Sequence, residues 1–362
     1  MRGLYSVRLD SGYLPNLEEL VAQDFFQRVE IFEGAGRKLK QTREDYCITG
    51  RAISLLANSK NSCGLKHISI ASGNSSDESL IQGMHGLCNS EIFELKSLKI
   101  GDLGVVNNRR QEIFILSNIA RIIAHSERMR GLESLEFSGQ INSAALPILA
   151  SSPNLGNLKK FAAGFRMEDD QTIASRWLAE FLSSPNGRNL EELKVGYMSE
   201  VTDGFITAAC GLKNLKVLDL RNIGTTISVP QIKRIFESEA GKNLVEITLP
   251  HIFGSAALVG NIPRPNLEII KNVLDLDVLT RAENLPGLRT IDYYFGKSRV
   301  SEPTNGNTLR DCRLPLAASP YFPSLMRILA DDRTVLNIDT FRRVNAEAIE
   351  KYRAETQGHG PR

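Results

Sequence analysis

A short pattern, an apolar residue, two variable ones, an apolar, one variable and an apolar, returns along almost the whole chain and limits the fold more than any other feature. The copies read Leu65-Lys-His-Ile-Ser-Ile70, Leu95-Lys-Ser-Leu-Lys-Ile100, Leu132-Glu-Ser-Leu-Glu-Phe137, Leu158-Lys-Lys-Phe-Ala-Ala163, Leu190-Glu-Glu-Leu-Lys-Val195, Leu215-Lys-Val-Leu-Asp-Leu220, Leu244-Val-Glu-Ile-Thr-Leu249 and Leu288-Arg-Thr-Ile-Asp-Tyr293. Weaker copies extend the series: Leu4-Tyr-Ser-Val-Arg-Leu9, Phe26-Gln-Arg-Val-Glu-Ile31 and Leu325-Met-Arg-Ile-Leu-Ala330, with Leu267-Glu-Ile-Ile270 in the widest gap. Each copy ends in period-2 alternation, the signature of a strand with one buried face. Between copies lie segments with helical periodicity, such as Gln111 to Arg128, Asp169 to Ser183 and Pro230 to Glu239, the last with Ser228 and Pro230 at its start as a helix N-terminus would have.

A strand followed by a helix cannot bury its apolar face alone, so successive units must stack on one another. The expected fold class is therefore α/β: a curved solenoid with a parallel sheet on its concave side and helices outside. It should run over residues 1–330 as one array without separable domains, closed by a C-terminal capping helix and tail over 331–362. Ile338 to Glu355 supplies that helix. Its stripe of Phe341, Val344, Ala348 and Tyr352 should pack near Leu325 and Ile328, with Arg342, Arg343, Glu347 and Lys351 mainly on the other side. At the other end little sequence precedes Leu4 to cover the first inner edge.

These copies resemble the leucine-rich repeat superfamily, and the long helical segments make it similar to the ribonuclease-inhibitor-like subclass. The resemblance implies a horseshoe whose concave face binds protein. The chain departs from that family in its irregular spacing and in mostly lacking the Asn that follows each strand, which implies irregular turns.

Chemistry is sparse. Lys plus Arg total 44 against 42 for Asp plus Glu, a formal net charge of +2, so nothing chain-wide calls for nucleic acid or an acidic membrane as partner. Cys47, Cys63, Cys88, Cys210 and Cys312 form no C-x-x-C pair and read as reduced thiols, and no signal-peptide core or membrane-length apolar run occurs, so the expected setting is cytoplasmic. Gly34-Ala-Gly36-Arg-Lys and Gly296-Lys297-Ser298 are fragments of phosphate-cradling loops, and neither completes one. His67, His85, His125, His251 and His359 include no zinc-ligand pair, and no nucleophile elbow occurs. The chain is thus expected to be no enzyme, with no cofactor and no metal.

What remains is the surface between the inner apolars. Taking alternate strand positions, the residues expected to face a partner are Lys99, Glu136, Lys194, Asp219, Arg221, Glu246, Asp292 and Tyr294, with Arg221 and Tyr294 as the large anchoring groups. The expected function is a recognition scaffold docking another protein in the concave groove. The resemblance brings two rivals: a GTPase regulator similar to the Ran GTPase-activating protein, for which Leu218-Asp-Leu-Arg221-Asn222 is the candidate strand exit, and a substrate-selecting subunit of a ubiquitin ligase or a pathogen effector imitating one, for which Leu14-Pro15 and Ile31-Phe32 are a faint F-box echo.

Overall fold

The computed structural model describes residues 17–23, 28–33, 37–38, 53, 57, 66–70, 77–91, 94–101, 109–165, 171–198, 200–223, 227–250, 266–274, 276–279, 285–293, 307–330 and 335–357. The chain divides into two compact units, Met1–Met198 and Ser199–Arg362.

In the first unit, β1 (Leu17–Gln23), β2 (Arg28–Glu33) and β3 (Arg37–Lys38) precede β4 (His67–Ile70), α1 (Asp77–Asn89), β5 (Ser97–Ile100), α2 (Arg109–His125), β6 (Ser134–Ile141), α3 (Ala145–Ser151), β7 (Lys160–Phe165), α4 (Gln171–Ser183) and β8 (Glu192–Gly196). Strands β4 to β8 pair in parallel in chain order, in a register that aligns the copies residue for residue: Ser69↔Lys99, Lys99↔Glu136, Glu136↔Ala162 and Ala162↔Lys194. The apolar positions of each copy are the core. Leu98, Leu135 and Leu193 have no exposed surface and Phe161 has 1%. A bulge in β6 between Glu136 and Gln140 then brings Gln140 opposite Gly164.

The weak copy around Phe26 does not continue this series. Its strand, β2, runs antiparallel to β1, whose other edge pairs in parallel with β4. Alternation alone suits either direction, and the strand beside β4 is β1, which belongs to none of the copies. The copy at Leu4 lies outside the described residues.

Each helix C-terminus leaves carbonyls without intrahelical partners. In the first unit the following repeat supplies donors. Ser126 Oγ donates to the Cys88 carbonyl, Ser152 Oγ to Ala124 O at 2.5 Å, and Asn186 Nδ2 to Leu149 O at 2.8 Å and Ser152 O at 2.7 Å. These short polar side chains are buried, so the bonds tie one repeat to the next where water cannot substitute.

The second unit contains α5 (Asp203–Cys210), β9 (Val217–Asn222), α6 (Val229–Glu237), α7 (Glu239–Lys242), β10 (Glu246–Thr248), β11 (Ile269–Val273), α8 (Leu276–Leu279), β12 (Thr290–Tyr293), α9 (Asn307–Ala318), β13 (Arg327–Ala330), β14 (Val335–Asn337), α10 (Ile338–Val344) and α11 (Ala346–Gln357). Strands β9 to β13 are parallel, and β14 returns antiparallel to β13. Helix α6 starts where Ser228 and Pro230 indicate: the Ser228 side chain caps Gln231 N–H and the Gln231 side chain returns the bond. It stops at Ser238, which caps α7.

The C-terminal segment differs from the single amphipathic helix expected. It breaks at Asn345, Val344 is 74% exposed and Ala348 is exposed, while Ile338 and Ile349 are buried. Arg342, placed by periodicity on the outer side, turns inward. Its guanidinium donates to Ala317 O at 3.1 Å, Phe322 O at 2.7 Å, Pro323 O at 3.2 Å and Leu325 O at 3.3 Å, and Arg353 Nε donates to Ala318 O at 2.9 Å. The forked donors thus cover carbonyls at the end of α9 and the turn after it, as serines and asparagines do between repeats of the first unit.

The architecture is the α/β class expected, with L-x-x-L-x-L copies as parallel strands joined by helical segments, the leucine-rich repeat arrangement. Among the described residues no helix is long and apolar enough to cross a membrane.

Candidate functional site

Alternation puts the Leu, Ile and Phe of each strand among the helices, and the residues between them on the opposite face, called here the open face. In the first unit that face is ruled by ion pairs, most of them between neighbouring strands and one, Lys194 with Glu192, within β8. Lys99 Nζ lies 2.5 Å from Glu136 Oε1, which also accepts from Ser138 Oγ at 3.4 Å. Lys160 Nζ and Lys194 Nζ lie 3.2 and 2.5 Å from the two oxygens of Glu192. On the rung just before the strands, Glu133 stands between Lys96 Nζ at 3.5 Å and Lys159 Nζ at 2.8 Å.

The pairing shows in the acidities. The hydrogen bond from Lys159, helped by the charge of Lys96, holds the Glu133 carboxyl below its ordinary value, and the same bond raises Lys159. At Glu192 partial burial pushes the carboxyl up, but the bonds and charges of Lys194 and Lys160 outweigh it and the net shift is downward. Between these charges Ala162 leaves a small open depression of about 130 Å³, bounded by Ser134, Glu136, Lys160 and Glu192.

In the second unit the pairs are one to one. Glu246 Oε1 and Lys271 Nζ are 2.5 Å apart, and Glu268 and Arg289 are 3.9 Å apart. Asp219, expected to face a partner, is instead only 6% exposed. Oδ2 accepts from Arg221 Nε at 3.0 Å and Nη2 at 2.6 Å, and Oδ1 accepts from Nε at 3.2 Å and from the Arg221 backbone N–H at 3.1 Å. Asp219 therefore fixes the direction of the Arg221 side chain. Its hydrogen bond raises the Arg221 guanidinium against burial, with smaller contributions from Asp292 and Glu246. Arg221 remains half-exposed, and Asp292 is half-buried on the same face. Tyr294 lies outside the described residues.

Two open-face residues escaped the sequence reading. Lys271 sits opposite Thr248, one residue past the weaker copy Leu267-Glu-Ile-Ile270. Tyr197 follows Gly196 directly and has a left-handed backbone, φ 58°, which sends its ring across β7: a Cβ on Gly164 would lie 2.7 Å from Tyr197 Cδ2. Nothing in the sequence marks a tyrosine for that conformation, which is uncommon outside glycine, asparagine and aspartate.

Chemistry elsewhere is limited. Cys88, Cys210 and Cys312 are not in disulfides, and burial pushes Cys88 up to about 12, far from the thiolate form that reacts. Cys47 and Cys63 lie outside the described residues. Among the described residues no three His, Cys, Asp or Glu side chains are gathered to hold a metal ion. His67 is exposed on the open face and His125 Nδ1 bonds the Arg121 carbonyl at 2.7 Å.

No family model and no curated protein matches the sequence. Two solved structures show distant similarity. A yeast complex of Rad7 and Elc1 is 18% identical at a TM-score of 0.37, over 68% of this chain and 73% of that one. An internalin (inlF) of Listeria monocytogenes is 17% identical at a TM-score of 0.33, over 78% of this chain and 74% of that one.

Proposed function

We propose that the chain is a non-enzymatic, cytoplasmic recognition scaffold of the ribonuclease-inhibitor-like kind that docks another protein on the open face of its sheets. The observation that carries the reading is the face itself. It is built on parallel strands locked by a buried core, and its charged side chains are held by ion pairs between and along the strands before any partner arrives. A surface so ordered loses little conformational entropy on binding. Its mixed charges suit discrimination between partners more than raw affinity, since exposed ion pairs each contribute little energy. The strand-exit motif at Arg221 does not favour the GTPase reading, because the guanidinium is already bound in a fork by Asp219.

Bulk on the open face tests the proposal. A tryptophan in place of Ser138 should abolish co-purification of the native partner, whereas a tryptophan in place of Arg176, on exposed helix α4, should leave it intact. The opposite pattern, in variants that keep the parent circular dichroism spectrum, would place the docking surface on the helical side.

A further inference from the structure

The open face of the first unit is not neutral. Its ion-paired set holds Lys96, Lys99, Lys159, Lys160 and Lys194 against Glu133, Glu136 and Glu192. Lys66 and Glu191 extend the rung of Lys96, Glu133 and Lys159, with backbone N–H groups of one strand donating to carbonyls of the one before. Six lysines then face four glutamates. The ammonium groups also stand further out: the Lys160 side chain is 58% exposed against 18% for Glu192, and Lys99 44% against 31% for Glu136. Glu133 and Glu192 are each engaged by two lysines, so an approaching group meets positive charge first.

At the C-terminal end of the same strands lies Tyr197. Its left-handed backbone is strained for a residue with a Cβ, and such strain persists only where the surroundings hold it. The ring rests against Gly164 of β7, where a Cβ would crowd it, yet it remains 44% exposed. An exposed aromatic held rigidly beside a charged track is the type of group that anchors interfaces. Ala162, two residues before Gly164 on the same face, lines the depression bounded by Lys160, Glu136 and Glu192.

Resting on the docking role proposed above, we infer that the first unit's open face receives an acidic segment of a partner protein, its carboxylates on Lys99, Lys160 and Lys194 and a neighbouring apolar side chain against Tyr197. At the corresponding positions of the second unit Lys216, Arg221, Lys271, Arg289 and Arg327 stand against Asp219, Glu246, Glu268 and Asp292, a smaller excess of five to four.

Fluorescence anisotropy with the full chain tests this, using a labelled peptide in which Glu and Asp alternate with Leu, and the same peptide with Lys replacing the acids. The acidic peptide should bind and the basic one should not, with affinity falling as salt rises. Lys160→Gln with Lys194→Gln should weaken binding about tenfold, and Tyr197→Gly, which suits the left-handed backbone but lacks the ring, should do the same. Lys271→Gln with Arg289→Gln in the second unit should change nothing. Binding of neither peptide, or indifference to both first-unit changes, would overturn the inference. Preferential binding of the basic peptide, lost in Tyr197→Gly, would overturn the acidic partner while leaving the docking face standing; a partner blocked only by bulk at Arg176 would instead remove the docking face itself.

Discussion

Arg221 folds back along its own strand onto Asp219, with Nη2 2.6 Å from Oδ2 and Nε within 3.2 Å of both carboxylate oxygens. Two residues apart in β9, they share a face, and the nearly covered carboxylate fixes the direction of a half-exposed guanidinium. Asp219→Asn keeps the shape but removes the charge, so the arginine should lose its orientation. The expected destabilisation is about 1–2 kcal/mol in urea melts. If Arg221 takes part in docking, partner affinity should fall in Asp219→Asn nearly as far as in Arg221→Ala. Equal stability and affinity in Asp219→Asn and the parent would show that the fork has no such role.

The core positions of the clearest copies should be the most sensitive to truncation. Leu193 and Leu218 are fully buried, and replacing either by alanine should cost about 2–5 kcal/mol through lost burial and the cavity left behind. A loss below about 1 kcal/mol in denaturant melts would show that neither side chain is packed as described.

The lysine–glutamate ladder predicts a pH dependence of definite sign. Glu192 has its folded acidity held below the ordinary glutamate value by Lys194 and Lys160 despite partial burial. A depressed carboxylate stabilises the fold above its unfolded pKa, and that contribution disappears as pH falls through the folded value. The melting temperature should therefore drop on acidification below the ordinary glutamate range, and less steeply in Glu192→Gln. Identical profiles for the two proteins would contradict the ladder.

At the C-terminus, Arg342 takes the place of a missing next repeat by donating to four carbonyls. Arg342→Ala should cost about 1.5–3 kcal/mol, and Arg342→Lys should rescue little because an ammonium cannot reproduce the planar fork. Deleting residues 334 to 362 should lower melting temperature and solubility together. A fully stable truncated protein would refute the capping role.

Much of this was legible in the sequence because the repeat is written in side chains that the core must bury. The strands at all eight clear copies follow from that pattern, and their register puts Lys99, Glu136 and Lys194 in one row as expected. Where reading failed, the backbone departed from regular geometry. Lys271 was missed because Asn272 occupies the place of the third apolar residue in its copy. There the backbone is left-handed, φ 61°, the amide donates to Leu249 O at 2.6 Å, and Val273 is buried one residue later. Tyr197 was missed for the related reason that its ring is aimed by φ rather than by alternation. The C-terminal stripe misled because periodicity assumes an unbroken helix, and Asn345 breaks this one. Asp219 shows a further limit: alternation gives the face, but not which neighbour covers it.

The central claim, that the face free of helices is the docking surface, is tested most directly by photo-crosslinking in the native host. A photoreactive amino acid is placed in turn at His67 and Asn222, exposed positions in or beside the open face of each unit, and at Arg176 and Lys233, exposed positions on α4 and α6. The account predicts discrete protein adducts from His67, Asn222 or both, and none from Arg176 or Lys233. Adducts confined to the helical positions would contradict it.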